Sequence, residues 1–280
     1  MDSPKLGQDV PKILILVIHG PYEPWISIYR QGQLQTWMEN SANIRVLNYF
    51  GKRMKSKYLM LDQKIYFLRW NKSQSIAYSS LLLEALIKRF VFLHKFNPKV
   101  RRKIDEDLGE IWEVNLPDSL LLQGVKNLAA LRNALDFEFD FLVTTISSTY
   151  INYSALLNYL DKSPRESFLG GRIEKSGVNE YQQGSFRVYS RDVVKYLVQN
   201  RQKYKHWQIE DIAMANLVRE KYKTLTELPN ISVNSIEQGR DLDPVSLKEV
   251  CSVRCKSVLG DGRRLDAEIM QIIHELIDTG

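Results

Sequence analysis

The chain predicts an α/β fold: one domain built on a mixed, mostly parallel central sheet flanked by helices. Three observations predict it. Lys12-Ile13-Leu14-Ile15-Leu16-Val17-Ile18-His19-Gly20 is a continuous apolar run that stops at Gly-Pro, the pattern of a strand buried on both faces of a parallel sheet. A polar stretch, Tyr29 to Asn40, follows with Leu34, Trp37 and Met38 spaced as in a short helix, and Ile44 to Gly51 then reads as a second strand. Strand, helix, strand at this spacing is a βαβ unit, half of a nucleotide-binding fold. No repeat, low-complexity tract or clear linker interrupts the 280 residues, so a single domain, 1–280, is the simplest account.

The remaining elements follow in order. Lys64 to Leu68 is a candidate strand. Ser79 to Leu93 carries Leu82, Leu83, Leu86, Ile87 and Phe90 at helical spacing. Phe96 to Asp107 is basic, then acidic, and reads as loop or helix end. Leu120 to Leu135 is a second amphipathic helix, and Phe139 to Thr145 a third buried strand. Ala155 to Leu160 is a short helix. Phe168 to Ile173 and Gly184 to Tyr189 are strands around a polar loop. Helices are expected at Arg191 to Gln199 and Glu210 to Glu220, and strand-like pieces at Ile231 to Ile236 and Val250 to Val258. A final helix sets Leu265, Ile269, Ile272, Ile273 and Leu276 on one stripe.

Composition narrows the function. Hydrophobic residues make up 44% of the chain, enough for a sizeable core. The net charge of +6 is spread along the sequence, with its densest runs at Lys52 to Lys57 and Lys99 to Lys103. Such runs are ordinary solvated faces, and a mild basic excess also suits a diphosphate-bearing substrate. The basic residues lack the aromatic interleaving of a single-strand platform and no nucleic-acid motif is visible, so no nucleic-acid partner is expected. Cys251 and Cys255 have no second pair at zinc-ligand spacing; on an extended strand they share a face, too far apart for an easy disulfide. Reduced cysteines, a polar Met1 to Pro11 that is no signal peptide, and an apolar run too short to span a bilayer give a cytoplasmic expectation with at most peripheral membrane contact.

Several blocks together resemble the fringe and β1,3-galactosyltransferase group and the related sugar transferases of large algal viruses and bacteria. They are Lys126-Asn127-Leu128-Ala129-Ala130-Leu131, then Asp140 to Thr145, then Tyr150-Ile151-Asn152-Tyr153 with the Leu156-Leu157 helix. Phe168-Leu169-Gly170-Gly171, Gln183 to Val194, and Trp207-Gln208-Ile209-Glu210-Asp211-Ile212-Ala213 follow in the group's order, and Val253 to Ser257 is a looser likeness. The resemblance implies a single Rossmann-like GT-A glycosyltransferase domain. Residues of about 12–145 would form its nucleotide-sugar-binding half and 146–280 its acceptor-binding and catalytic half. It implies a nucleotide-sugar donor and a glycan or glycoconjugate acceptor.

One departure is informative. Where the group carries Asp-x-Asp, this chain has Ile146-Ser147-Ser148. Neutral hydroxyls are poor substitutes for carboxylates around a hard cation such as Mg²⁺ or Mn²⁺. No metal site is expected there and no cofactor is expected, unless cation ligands come from elsewhere.

Transfer needs a base for the acceptor hydroxyl and positive charge for the leaving diphosphate. The resemblance makes Asp211 the base, with Glu210 the other candidate; at a helix start both are also ordinary dipole partners. Arg254 and Lys256 share one strand face and could meet the diphosphate in place of a metal, as could Arg263 and Arg264 nearby. His19, Gly20 and Tyr22, in the loop after the first strand, are candidates for the nucleoside, with Asp62 for a nucleoside hydroxyl and Lys126, Ser147 and Ser148 for donor contacts. Gly170, Gly171, Gly184, Ser185 and Trp207 are the acceptor-side candidates, with Tyr181 beside Trp207 as a platform. The lost Asp-x-Asp keeps a second reading open: a catalytically inactive nucleotide-sugar- or glycan-binding protein derived from such an enzyme.

Overall fold

The apolar run near the start of the chain forms β1 (Ile13–Ile18), at the centre of the main sheet of the computed structural model. The structure describes residues 10–55, 58, 60, 64, 98–106, 108–120, 122–176, 179–205 and 208–279. β1 pairs in parallel with β2 (Ile44–Lys52) on one side and, on the other, with β5 (Phe141–Ile146), so that Ile13 lies level with both Ile44 and Phe141. β2 pairs in parallel with β4 (Gly109–Pro117), which pairs antiparallel with the edge strand β3 (Val100–Asp105). Beyond β5 lie β8 (Asn179–Ser190), antiparallel to β5 and to β7 (Leu169–Ser176), and then a two-residue β9 (Thr226–Glu227). Among the described residues the order is β3-β4-β2-β1-β5-β8-β7-β9: a parallel, Rossmann-like centre with antiparallel additions towards its two edges. Strands from both halves of the sequence are therefore hydrogen-bonded into one sheet.

Alternation along β1 explains why both faces are covered. Leu14 and Leu16 join a core with α2 (Gln123–Ala134), α4 (Arg191–Gln199) and α5 (Glu210–Arg219). Ile13, Ile15 and Val17 join the opposite core, with α3 (Tyr153–Asp161) and the C-terminal α8 (Asp266–Thr279).

Three elements differ from the sequence reading. The first helix is α1 (Trp25–Gln31), earlier than Tyr29 to Asn40, and a 3-10 turn at Gln33–Gln35 follows. Gly32 ends it because its Cα lies against the α8 backbone: an added Cβ would sit 2.7 Å from Ile28 O and 3.0 Å from Ala267 Cα. The segment expected as loop contains β3, whose Arg101, Arg102, Lys103 and Ile104 are all exposed; a solvated edge strand shows no alternation to read. The tail strands are shorter, β10 (Asn230–Val233) and β11 (Ser252–Cys255), and Ser235 caps α6 (Ile236–Arg240) by accepting from Gln238 N at 3.1 Å. A short α7 (Pro244–Leu247) lies between α6 and β11. β11 pairs in parallel with β10 and antiparallel with β6 (Thr149–Ile151), making a separate three-stranded sheet. The expected strand at Lys64 to Leu68 and helix at Ser79 to Leu93 lie outside the described residues, apart from Lys64.

Cys251 and Cys255 are both free and fully buried, and burial raises both thiols above their usual range. Among the described residues, no helix is long and apolar enough to cross a membrane.

Candidate active site

Parallel strands that run together end together, and ligands of open α/β sheets gather at those carboxyl ends. Here β1 leads into His19 and Gly20, β2 ends at Gly51 and Lys52, β4 leads into Asp118, and β5 into the Ser147-Ser148 turn. His19 is buried edge-on to Tyr29, with ring centroids 5.0 Å apart. Burial lowers its pKa to about 3, so the imidazole is neutral; Gln33 and Asn48 are its polar neighbours, but neither ring nitrogen makes a hydrogen bond of full geometry. Gly20 is roofed by Trp25, whose Cδ1 would lie 2.4 Å from an added Cβ, and Arg264 stacks over that indole at 4.9 Å. Tyr22 bonds the Met54 backbone across the same end. Lys126 forms a buried ion pair with Asp118 at 2.6 Å, and Asp118 also accepts from Gly51 N at 2.9 Å. Asp62 and Trp207 lie outside the described residues.

The densest electrostatics lie on the other side of β5. Arg187, on β8, pairs across the sheet with Thr144 of β5 and Gly171 of β7. Its guanidinium, 2% exposed, grips Glu210 with both forks, at 2.9 and 2.6 Å, and also bonds Asp211 Oδ1. Glu210 additionally accepts from Asn127 at 2.6 Å, and Asn127 accepts from the Tyr49 hydroxyl at 2.8 Å. Burial opposes the charge on Glu210, yet Arg187 and these hydrogen bonds overcome it and hold its pKa well below the usual range. Asp211 goes the other way: burial and the adjacent Glu210 charge outweigh Arg187, and its pKa is raised. Asp211 is the more exposed of the two, at 26% against 12% for Glu210. Its Oδ1 is tied to Arg187, and the carboxyl also makes hydrogen bonds with Glu210 and with the Gly184 backbone.

The candidate glycines shape this centre by what they lack. An ideal Cβ on Gly184 would sit 2.8 Å from Asp211 Oδ1 and 3.2 Å from Arg187 Nη2. Gly171, at φ +137°, would push a Cβ to 2.3 Å from Phe186 O, and Gly170 is packed against Phe168 and Leu228. Gln183 to Phe186 bulges out of register opposite Arg172. The bulge is tied down through Ser185, whose carbonyl accepts from Thr145 Oγ1 at 2.7 Å and Thr149 Oγ1 at 3.2 Å. Ser185 Oγ donates to Gln183 Oε1, and Gln183 donates to Glu174, which Arg172 also meets at 3.2 Å. Tyr181 lies close enough to feel the Asp211 and Glu174 charges.

Beside the Ser147-Ser148 turn runs β11. Arg254 is level with Thr149, and Cys255 N donates to Ser148 O at 2.8 Å, so this strand carries Arg254 to the turn, while Lys256 lies just beyond the strand's end. Ser147 and Ser148 are buried and supply hydroxyls only; the turn does not fit a divalent cation. Among the described residues no cluster of three His, Cys, Asp or Glu is placed to hold a metal. Arg264 is committed to the buried Asp266, at 2.8 Å through Nε, and the exposed Arg263 bonds Asp261 through its backbone. Arg254 and Lys256 have no carboxylate partner among the described residues, and the Arg254 Nε is buried without a hydrogen bond. Burial and neighbouring cations lower both pKa values: Arg172 and Arg264 act on Arg254, and Arg254 and Arg264 on Lys256. Arg254 also feels the Asp211 charge.

The fold thus brings Glu210, Asp211, Gly184, Ser185, Arg254, Ser147 and Ser148 to one side, while His19, Gly20 and Tyr22 cluster at the end of β1 and Lys126 is enclosed with Asp118. Arg187 was not singled out by sequence reasoning. Its only signal was a cation set between Phe186 and Val188 in a strand with buried neighbours.

No protein-family model matches the chain, and no curated protein matches it. Among solved structures it is similar to a glycosyltransferase involved in glycosylation of the major capsid of PBCV-1, at 10% identity and a TM-score of 0.40, over 94% of this chain and 99% of that one. It is also similar to the glycosyltransferase GlyE of Streptococcus pneumoniae TIGR4, at 9% identity and a TM-score of 0.42, over 97% of this chain and 64% of that one. A third is apo mouse xyloside xylosyltransferase 1, at 9% identity and a TM-score of 0.39, over 87% and 97% of the two chains. At identities this low and superpositions this loose, these likenesses assign no activity to the chain.

Proposed function

We propose that the chain is a glycosyltransferase that moves a sugar from a nucleotide-sugar donor to a hydroxyl of a glycan or glycoconjugate, with inversion and without a divalent cation. One observation carries the reading: Asp211, a buried carboxylate of raised pKa, lies within electrostatic reach of Arg254, a cation with no carboxylate partner among the described residues. The acceptor O–H gives its proton to Asp211 Oδ2 as its oxygen bonds the anomeric carbon. The bond from that carbon to the diphosphate oxygen breaks, and its electron pair leaves with the diphosphate. Arg254 and Lys256 meet the growing phosphate charge, the work a metal would otherwise do. A base is most useful when its pKa lies near working pH, and burial moves Asp211 in that direction. In this reading the domain is single, its first half holds the nucleotide, its second half holds the acceptor, and the protein works in the cytoplasm.

The test begins with thermal shifts against a panel of nucleotides and nucleotide sugars, since a specific ligand stabilises the folded state. A nucleoside diphosphate should stabilise the chain, and Arg254→Ala should weaken that binding about tenfold, the scale of losing one charge-assisted contact. Turnover of the best nucleotide sugar should survive EDTA. Loss in EDTA with recovery in Mn²⁺ would overturn metal independence. Stabilisation by no nucleotide at all would overturn the donor class.

A further inference from the structure

Arg187 occupies the most constrained position in the site. Its backbone is held by β5 on one side and β7 on the other, and the positive φ of Gly171 brings the β7 chain close against it. Its Nε donates to Gln182 O at 3.3 Å, so the planar fork is oriented before any substrate arrives. Glu210 engages both oxygens with that fork, Asn127 bonds Oε1 as well, and Asp211 adds a further side-chain hydrogen bond. Asp211 is tied to Arg187 through Oδ1 and also makes hydrogen bonds with Glu210 and with the Gly184 backbone.

From this geometry, and resting on the reading of Asp211 as the base, we infer that Arg187 is the positioning residue of the reaction: it locks Glu210 in place and clamps one oxygen of Asp211, which fixes how the carboxyl is presented to the acceptor hydroxyl. Glu210 is then no alternative base; it tunes its neighbour. Gly184 belongs to the same device, because any side chain there would displace the clamped oxygen.

The groups that act on Asp211 come from four places: Arg187, Tyr181 and Tyr189 on β8, Glu210 on its own helix, Tyr204 before that helix, and Arg254 on β11. Of these, Arg187 and Glu210 are the charges in its immediate shell, and they act with opposite sign. Removing the Glu210 charge must make Asp211 easier to ionise, and weakening the Arg187 clamp must make it harder.

The experiment follows turnover against pH for the sugar nucleotide that stabilises the chain most in a panel of UDP-, GDP- and CMP-linked sugars. Glu210→Gln keeps the shape and should move the acidic limb of kcat to lower pH by about one unit. Arg187→Lys keeps the charge but loses the fork; it should move that limb to higher pH and lower kcat about tenfold or more, with donor KM little changed. Gly184→Ala leaves every charge in place and should lower kcat alone. The Asp211 carboxyl carbon, followed by ¹³C NMR in wild type and Glu210→Gln, reports the same displacement without turnover and decides the matter if Arg187→Lys does not fold. An unmoved limb and an unmoved carboxyl titration in Glu210→Gln would overturn the inference. Near-normal turnover in Asp211→Asn would instead remove the base assignment on which it rests, whatever the other variants do.

Discussion

Consecutive residues of α2 anchor two buried ionic clusters built on different ratios. Lys126 meets Asp118 one to one, at 2.6 Å, with both side chains below a tenth exposed. Asn127 reaches Glu210, where a single guanidinium serves two carboxylates. The first cluster balances. Its hydrogen bond to Gly51 N joins the ends of β2, β4 and α2, and no charge is left over. The second cannot balance, and Asp211, buried and beside the Glu210 charge, carries a raised pKa. Burial alone does not distinguish the two clusters; the ratio of partners does.

The largest expected effect breaks the balanced cluster. Lys126→Met strands a buried carboxylate and should cost about 3–5 kcal/mol in chemical denaturation, and most of that should return in the double variant Asp118→Leu/Lys126→Met. Unchanged stability with lost nucleotide affinity would move Lys126 from scaffold to phosphate contact.

His19 extends the comparison to a buried group with no charged partner among the described residues, only the neutral amides Gln33 and Asn48. Its folded pKa, about 3, lies below the ordinary imidazole value of 6.5, so the unfolded chain binds more protons between those values. The stability of the neutral imidazole is therefore complete above pH 6.5 and is lost as pH falls from there towards 3. The slope is about 1.4 kcal/mol per unit, so from pH 7 to pH 5 wild type should lose about 2 kcal/mol more than His19→Gln. Equal losses in the two proteins would mean that the imidazole is hydrated.

The smallest effect has the most telling sign. Asp211→Asn removes the anion that the unbalanced cluster cannot satisfy. Because the folded pKa of Asp211 is raised, its charged form at pH 8 is disfavoured in the fold, and the variant should gain about 1 kcal/mol while turnover falls by about 10² or more. A loss of stability in that variant would place Asp211 with Asp118, as structural ballast.

Much of this architecture is legible in the residues. The unbroken apolar run of β1 announces a strand covered on both faces, and the spacing to β2 and the stripes of α2 and α8 supply its neighbours. The β3–β4 pair escapes because Arg101 to Ile104 is solvated on both sides of its edge. Glu210-Asp211 stands out in the sequence as a helix start. What the two carboxylates do to each other does not, because that depends on Arg187. In a strand where Phe186 and Val188 face one core, an alternating Arg reads as the solvent side. Only the registers with Thr144 and Gly171, and α5 lying over them, enclose it. Arg254 is a like case: its place beside Ser148 follows from a pairing between β6 and β11, and no local pattern encodes a contact across so much chain.

That pairing sets the order in which the protein can acquire its parts. Thr149 and Arg254 meet only after more than a third of the polypeptide has been gathered between them, and closing a long loop is an entropic cost met before its contacts give anything back. The Arg187 knot closes over a far shorter stretch, from Arg187 to Asp211. A chain emerging from the ribosome therefore holds Asp211 clamped by Arg187 before it holds Arg254 beside the Ser147-Ser148 turn.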